Sequence, residues 1–257
     1  MKLAYYALSA MLGLYAIYGA MMIALHTKFI YPFQNWPFAG TGYEAVQINP
    51  DLQVQVFAGQ TGAPIIVYFM GNAGALEAFR VVLDHHKARG RSVVAMAYRS
   101  GGGLPGTASE KVLKQDAMDV MAALPGLVPE GPVIIQGYSL GTGIALHVAA
   151  RHQVRAVILS APYDRLCRLM ARASYLPACL LPVQRWVSAR DAPNVQAPVL
   201  AQHGTEDTLI PIAEGEKLAA RLPDHQFLPV EGAGHNDLFS KPGYLAAMDA
   251  FIDAHTR

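Results

Sequence analysis

From Leu3 to Leu25 the chain carries 23 residues without one charge, bracketed by Lys2 and Lys28. At about 1.5 Å per residue a helix over this stretch is roughly 35 Å long, enough to cross a hydrocarbon core of about 30 Å with some tilt. The pattern predicts a single-pass membrane helix, residues 3–25 in the bilayer, as an N-terminal anchor over residues 1–28. A cleaved secretory signal has an apolar core of only about 7–15 residues and a small-residue cleavage site. Leu25-His26-Thr27-Lys28 offers no such site. Tyr5 and Tyr6 at one end, with Phe29, Tyr31 and Trp36 beyond the other, are candidates for interfacial aromatic belts. Lys2 and the terminal amine face Lys28, a balance that leans slightly to an inside N-terminus and an extracytoplasmic soluble domain.

After a linker from Tyr31 to Gly42 the period changes to two. Val46-Gln47-Ile48 and Leu52-Gln53-Val54-Gln55-Val56 read as half-buried antiparallel strands. Five apolar runs follow that are too continuous for one-sided burial: Ile65 to Met70, Val93 to Tyr98, Val133 to Tyr138, Ala156 to Leu159 and Val199 to Gln202. These are expected to be central strands of a parallel sheet covered on both faces. Helical spacing fills the gaps at approximately Leu76–Arg89, Ser109–Leu124, Leu140–His152, Ala213–Arg221 and Tyr244–His255. Such alternation predicts one doubly wound α/β domain over residues 29–257, a mostly parallel sheet flanked by helices.

Residues 162–195 break the alternation, with Pro177, Pro182 and Pro193 interrupting short apolar pieces. This segment is expected to be a short lid above the sheet. Between Leu166 and Val187 it offers an apolar roof that includes Leu169, Met170, Leu176, Leu181 and Trp186. Both cysteines, Cys167 and Cys179, fall in it. They either form a disulfide in an oxidising compartment or serve as two buried thiols.

Composition narrows the function. Hydrophobic residues make up 53% and charged residues 15%, with mean hydropathy +0.23, which excludes intrinsic disorder. The formal net charge of +1 comes without a Lys/Arg run that could neutralise phosphates, so no nucleic-acid partner is expected. There is no H-E-x-x-H, and His85-His86 alone offers no metal site, so neither metal nor cofactor is expected.

The chemistry gathers where the run Val133–Tyr138 ends in Gly137-Tyr138-Ser139-Leu140-Gly141 and passes straight into a helical segment. Strand, sharp turn and helix are what a nucleophile elbow needs, with Gly137 and Gly141 leaving room for the turn. Gly143 is expected to bring the helix close to the sheet. A serine hydroxyl needs a base, and the base needs an orienting carboxylate. Of nine histidines, only His235 sits in a glycine-rich loop after the last strand. Asp207 follows the strand Val199–Gln202 and is the carboxylate candidate; Glu206 beside it is the alternative, read as a solvated loop residue. Asp237 either caps the final helix or stabilises the histidine loop. The turn Gly71-Asn72-Ala73-Gly74 is expected to give the oxyanion hole one backbone N–H, from Asn72 or its neighbour Ala73, beside that of Leu140.

The order Ser139, Asp207, His235 resembles that of the serine α/β-hydrolases. Met70-Gly71-Asn72-Ala73-Gly74 resembles the H-G-N-A-G of the membrane-associated α/β-hydrolase-domain proteins, a branch that includes lysophosphatidylserine lipases and protein depalmitoylases. Ala97-Tyr98-Arg99 with Gly101 to Gly106 and Ser109-Glu110, then Ser160 to Asp164, Pro198 to Asp207 and His235-Asn236-Asp237, continue the likeness along nearly the whole chain. Lys28-Phe29-Ile30-Tyr31-Pro32 resembles the membrane-proximal F-x-Y-x-P of that branch. Met70 stands where the branch has histidine, which puts side-chain support of the oxyanion turn in question, and Ala97 stands where it has an acid. The resemblance implies an α/β-hydrolase fold and hydrolysis of carboxylic or thioesters of lipid-like acyl substrates through an acyl-enzyme on Ser139. A catalytically idle scaffold, or a small-ester hydrolase or perhydrolase, are the alternatives.

Overall fold

A computed structural model of the chain describes residues 2–256. Eight strands form one sheet in the order β1-β2-β4-β3-β5-β6-β7-β8. They are β1 (Glu44–Asn49), β2 (Leu52–Phe57), β3 (Ile65–Phe69), β4 (Ser92–Ala97), β5 (Val133–Tyr138), β6 (Ala156–Ser160), β7 (Val199–Gly204) and β8 (His225–Val230). β2 runs antiparallel to both β1 and β4, and every other pairing is parallel. The sequence pattern separates the two kinds. Leu52, Val54 and Val56 of β2 are buried while Gln53 and Gln55 are half-exposed, whereas every residue of β3 is buried.

Burial on both faces follows from the helices: α2 (Arg80–Ala88), α3 (Glu110–Ala123), α4 (Leu140–Ala149), α5 (Leu166–Ser174), α6 (Ser188–Asp191), α7 (Ile212–Ala219) and α8 (Tyr244–Thr256). On one face Ile66 and Ile134, paired across β3 and β5, and Ile158 and Leu200, paired across β6 and β7, meet Met248, Phe251 and Ile252 of α8. Each such side chain contributes roughly 1.5–3 kcal/mol when fully buried. The segment expected to begin one helix at Leu76 starts instead as a tighter 3₁₀ turn, Leu76–Phe79. Ser109 caps α3 by accepting from the Val112 N–H at 3.2 Å.

The apolar N-terminal run is helix α1, Lys2–Ile30, long and apolar enough to cross a membrane. It continues past Leu25, and from Tyr18 onward one side rests on the domain. Tyr31 is not available to an interfacial belt: its hydroxyl accepts from Trp186 Nε1 at 3.1 Å and donates to Gln184, beneath the lid. The rest of the linker is laid along the sheet edge, with the Gln34 N–H on the Ala73 carbonyl at 2.7 Å and the Gly102 N–H on the Gln34 carbonyl at 2.8 Å.

Residues 162–195 rise from the sheet as expected, through α5, a 3₁₀ turn (Ala178–Leu180) and α6. The two ends of the excursion are pinned by a bridge between Arg165 and Val187, and the Trp186 N–H donates to Glu110 of α3 at 2.9 Å. Of the two readings of the cysteines, the disulfide is the one observed: Cys167 and Cys179 are bonded, tying α5 to the 3₁₀ turn.

Candidate active site

β5 delivers Ser139 to the edge of the sheet with φ +50° and ψ −116°, a strained turn, and α4 starts at the next residue. Close approach of backbones makes the turn dependent on glycine. A Cβ on Gly141 would lie 2.1 Å from the Phe69 carbonyl oxygen, and one on Gly137 would lie 2.5 Å from the Gly141 carbonyl oxygen. Gly143 differs from expectation. Its missing side chain faces the Tyr163 hydroxyl and the Trp186 ring, so it seats the base of the lid on α4 and does not bring α4 to the sheet.

His235 and Asp207 come to Ser139 from the loops after β8 and β7. Ser139 Oγ lies 3.0 Å from His235 Nε2, and His235 Nδ1 lies 2.7 Å from Asp207 Oδ2. All three side chains are buried. Burial pushes the Asp207 carboxyl up, but the His203 ring close by and hydrogen bonds from His235 and the Ile210 N–H outweigh it and hold the group well below the usual carboxylate range. An ionised carboxylate only accepts, so Nδ1 of His235 carries the proton and bare Nε2 faces the serine hydroxyl. The other Asp207 oxygen accepts from the N–H groups of Leu209 (2.9 Å) and Ile210 (2.8 Å). Glu206 points to solvent and is held only through its backbone, which donates to the Ala233 carbonyl.

The histidine loop is braced twice. Asp237 accepts from the Gly234 N–H at 2.7 Å, so of its two expected roles it takes the loop, with α8 starting only at Tyr244. Tyr138, next to the serine, donates to the His235 carbonyl, and burial pushes its phenol well above the usual range, keeping it a donor. Tyr138 and His203 were not singled out by the sequence. His203 carried a usable signal, four residues before Asp207 at the same strand end.

Asn72, Leu140 and Ser139 line one cavity of about 300 Å³, whose remaining wall is apolar: Leu166, Leu169 and Met170 from the lid and Phe29 and Ile30 from α1. The turn bearing Asn72 keeps its support without the histidine that Met70 replaces. The Tyr98 hydroxyl donates to the Met70 carbonyl at 2.7 Å, and Phe33 packs against Gly74. Arg99, two residues after Ala97, donates to both carboxylate oxygens of Asp116 in α3 through one guanidinium edge, Nε at 2.8 Å and Nη2 at 2.7 Å. Among the described residues no cluster of His, Cys, Asp and Glu is placed to hold a metal ion.

Comparison with known proteins agrees with this architecture. The sequence profile of the dienelactone hydrolase family matches residues 102–250. An α/β-hydrolase domain-containing protein of Caenorhabditis elegans is 30% identical over 195 residues, covering 73% of this chain and 57% of that one. A lysophosphatidylserine lipase of Danio rerio is 27% identical over 232 residues, covering 76% and 59%. The chain thus spans somewhat over half the length of these relatives. Among solved structures, the esterase Pf2001 of Pyrococcus furiosus superposes with a TM-score of 0.67 at 16% identity, over 84% of this chain and 93% of that one, which speaks to fold alone. The chain belongs to the dienelactone hydrolase family of the α/β-hydrolase superfamily, in the branch of the α/β-hydrolase-domain proteins.

Proposed function

We propose that the protein is a membrane-anchored serine hydrolase of carboxylic or thioesters with lipid-like acyl groups. The observation that carries this reading is the line Ser139 Oγ, His235 Nε2, His235 Nδ1, Asp207 Oδ2, at 3.0 and 2.7 Å, on the floor of an apolar cavity. In this reading His235 Nε2 takes the Ser139 proton as Oγ attacks the acyl carbon. The carbonyl oxygen, now anionic, is stabilised by the N–H groups of Asn72 and Leu140 and by the positive end of α4. Collapse expels the alcohol or thiol, which takes the proton from His235 and leaves an acyl-enzyme. Water, deprotonated by the same nitrogen, then releases the acid. Asp207 stabilises the imidazolium throughout.

The similarity to a lysophosphatidylserine lipase supports ester chemistry. The apolar walls and the helix Lys2–Ile30 support a lipid-like substrate met at a bilayer. The bonded cysteines favour a soluble domain in an oxidising, extracytoplasmic compartment, with residues 1–28 as anchor. The test is hydrolysis of umbelliferyl esters from acetyl to palmitoyl by the full chain in phosphatidylcholine vesicles. Turnover that rises with acyl length and vanishes in Ser139→Ala supports the reading. A maximum at acetyl would leave an anchored small-ester hydrolase, and no turnover of any ester or thioester would leave a scaffold.

A further inference from the structure

The half of α1 nearest the domain is docked on the lid, and this constrains where the lid sits. Only Lys2–Leu14 projects free of the domain; thirteen residues of helix span about 20 Å, short of the roughly 30 Å of a hydrocarbon core. For α1 to cross, the stretch from Tyr15 to about Met22 must also lie in hydrocarbon, and the lid apex beside it goes in too. That apex is made for such a place. Tyr175 and Leu180 are 87% and 82% exposed, large apolar surfaces that none of the described residues covers. The carbonyls at the end of α5, orphaned by helix geometry and costly to leave bare in lipid, are taken by tyrosines of α1: Tyr18 on Ser174 at 3.1 Å and Tyr15 on Tyr175 at 2.9 Å.

Between α1 and the apex lies a second cavity of about 290 Å³, walled by Met22, Ile23, Leu176 and Leu181 among others. It shares Phe29, Met170 and Ala173 with the cavity that holds Ser139. We infer that the lid apex is immersed in the bilayer and that the crevice between α1 and the lid is the passage by which the acyl chain of a membrane lipid ester moves sideways from the leaflet to Ser139. The occupant follows from the adjoining of the two cavities at Phe29, Met170 and Ala173, since the inner end holds the serine, the outer end is bounded by membrane-depth residues, and the outer walls are apolar apart from Tyr18, His26 and Ser174. This inference rests on the anchored-esterase reading above.

The full chain in phosphatidylcholine vesicles tests both halves. The fluorescence added by Leu180→Trp, with the signal of Trp36 and Trp186 subtracted, is expected to be quenched by lipids brominated on the acyl chain and to resist aqueous iodide. Quenching by iodide and not by the brominated lipid overturns immersion, and this readout needs no catalysis. Met22→Trp fills the outer cavity and is expected to lower the ratio of palmitoyl to butyryl umbelliferyl ester turnover at least tenfold. Met21→Trp, one position round the helix and facing out, leaves that ratio where it is. An unchanged ratio in Met22→Trp, or an equal fall in Met21→Trp, overturns the passage. Failure of the wild-type chain to turn over any ester counts against the esterase reading itself and leaves the quenching result to decide where the lid lies.

Discussion

His203 Nε2 lies 3.5 Å from Asp207 Oδ2, the same carboxylate oxygen that accepts from His235, and donates to the Ile210 carbonyl at 2.8 Å. Because a carbonyl only accepts, the proton on this buried ring is fixed at Nε2. His203 thereby holds the loop whose N–H groups, at Leu209 and Ile210, fix the other Asp207 oxygen. In the proposed mechanism it is a positioning residue. His203→Phe keeps the ring shape and removes the donor, at about 1–1.5 kcal/mol for a lost hydrogen bond. The expected result is a roughly tenfold fall in kcat with KM little changed. A parallel rise in KM with kcat intact would deny it that role.

Asp207 and Glu206 are adjacent in sequence and opposite in circumstance, one bound to His235 and the other in solvent. Asp207→Asn is expected to lower kcat by several orders of magnitude, because an amide no longer fixes the imidazole tautomer or stabilises its charge. Glu206→Gln should fall within a few-fold of wild type. Steady-state kinetics on a short soluble ester separates the two, and the reverse ranking would reassign the carboxylate.

His86 gives the fold a pH dependence of predictable sign. It is fully buried between Gln136, 2.7 Å from its Nε2, and Arg91, and burial is the main cause that lowers its pKa from 6.5 to about 3. As pH falls, the unfolded chain takes up a proton at 6.5 while the folded chain does not until about 3. Stability is therefore lost across that window, by on the order of a few kcal/mol. Urea unfolding of the full chain in detergent, at pH 7 and pH 4, is expected to show a larger drop for wild type than for His86→Gln. Equal drops would remove His86 as the cause.

The Cys167–Cys179 bond closes a loop with a sequence separation of 12 inside the lid. Loop-closure entropy for that length corresponds to about 3 kcal/mol. Replacing both cysteines by serine should lower the thermal midpoint by several degrees and remove any effect of reductant on it. A midpoint insensitive both to the replacement and to reductant would show that the bond is not formed in solution.

Continuous apolar runs such as Ile65–Met70 announced the central strands because a strand covered on both faces of a parallel sheet has few polar positions to confuse the pattern. The elbow was legible because strand, G-x-S-x-G and helix are contiguous in the sequence and Gly137 answers to Gly141, four residues on, although Gly141 itself answers to Phe69 on β3. What the sequence withheld depends on distant surfaces. Gly143 answers to Tyr163 and Trp186, which fold back from the lid. The stripe of Tyr15, Tyr18, Met22, His26 and Phe29 sits at helical spacing, yet in a run apolar on every side nothing marks that stripe as the one that meets another element. Asp207, and not Glu206, was already the carboxylate candidate from sequence, and the structure sets its Oδ2 2.7 Å from Nδ1 of His235.

The central claim, that Ser139 is an activated nucleophile, is tested most directly by intact-protein and peptide mass spectrometry after reaction of the full chain with a fluorophosphonate. A single adduct on the peptide containing Ser139 is expected, absent in Ser139→Ala and formed far more slowly in His235→Ala. An unmodified Ser139, or a modification rate indifferent to the loss of His235, would contradict it.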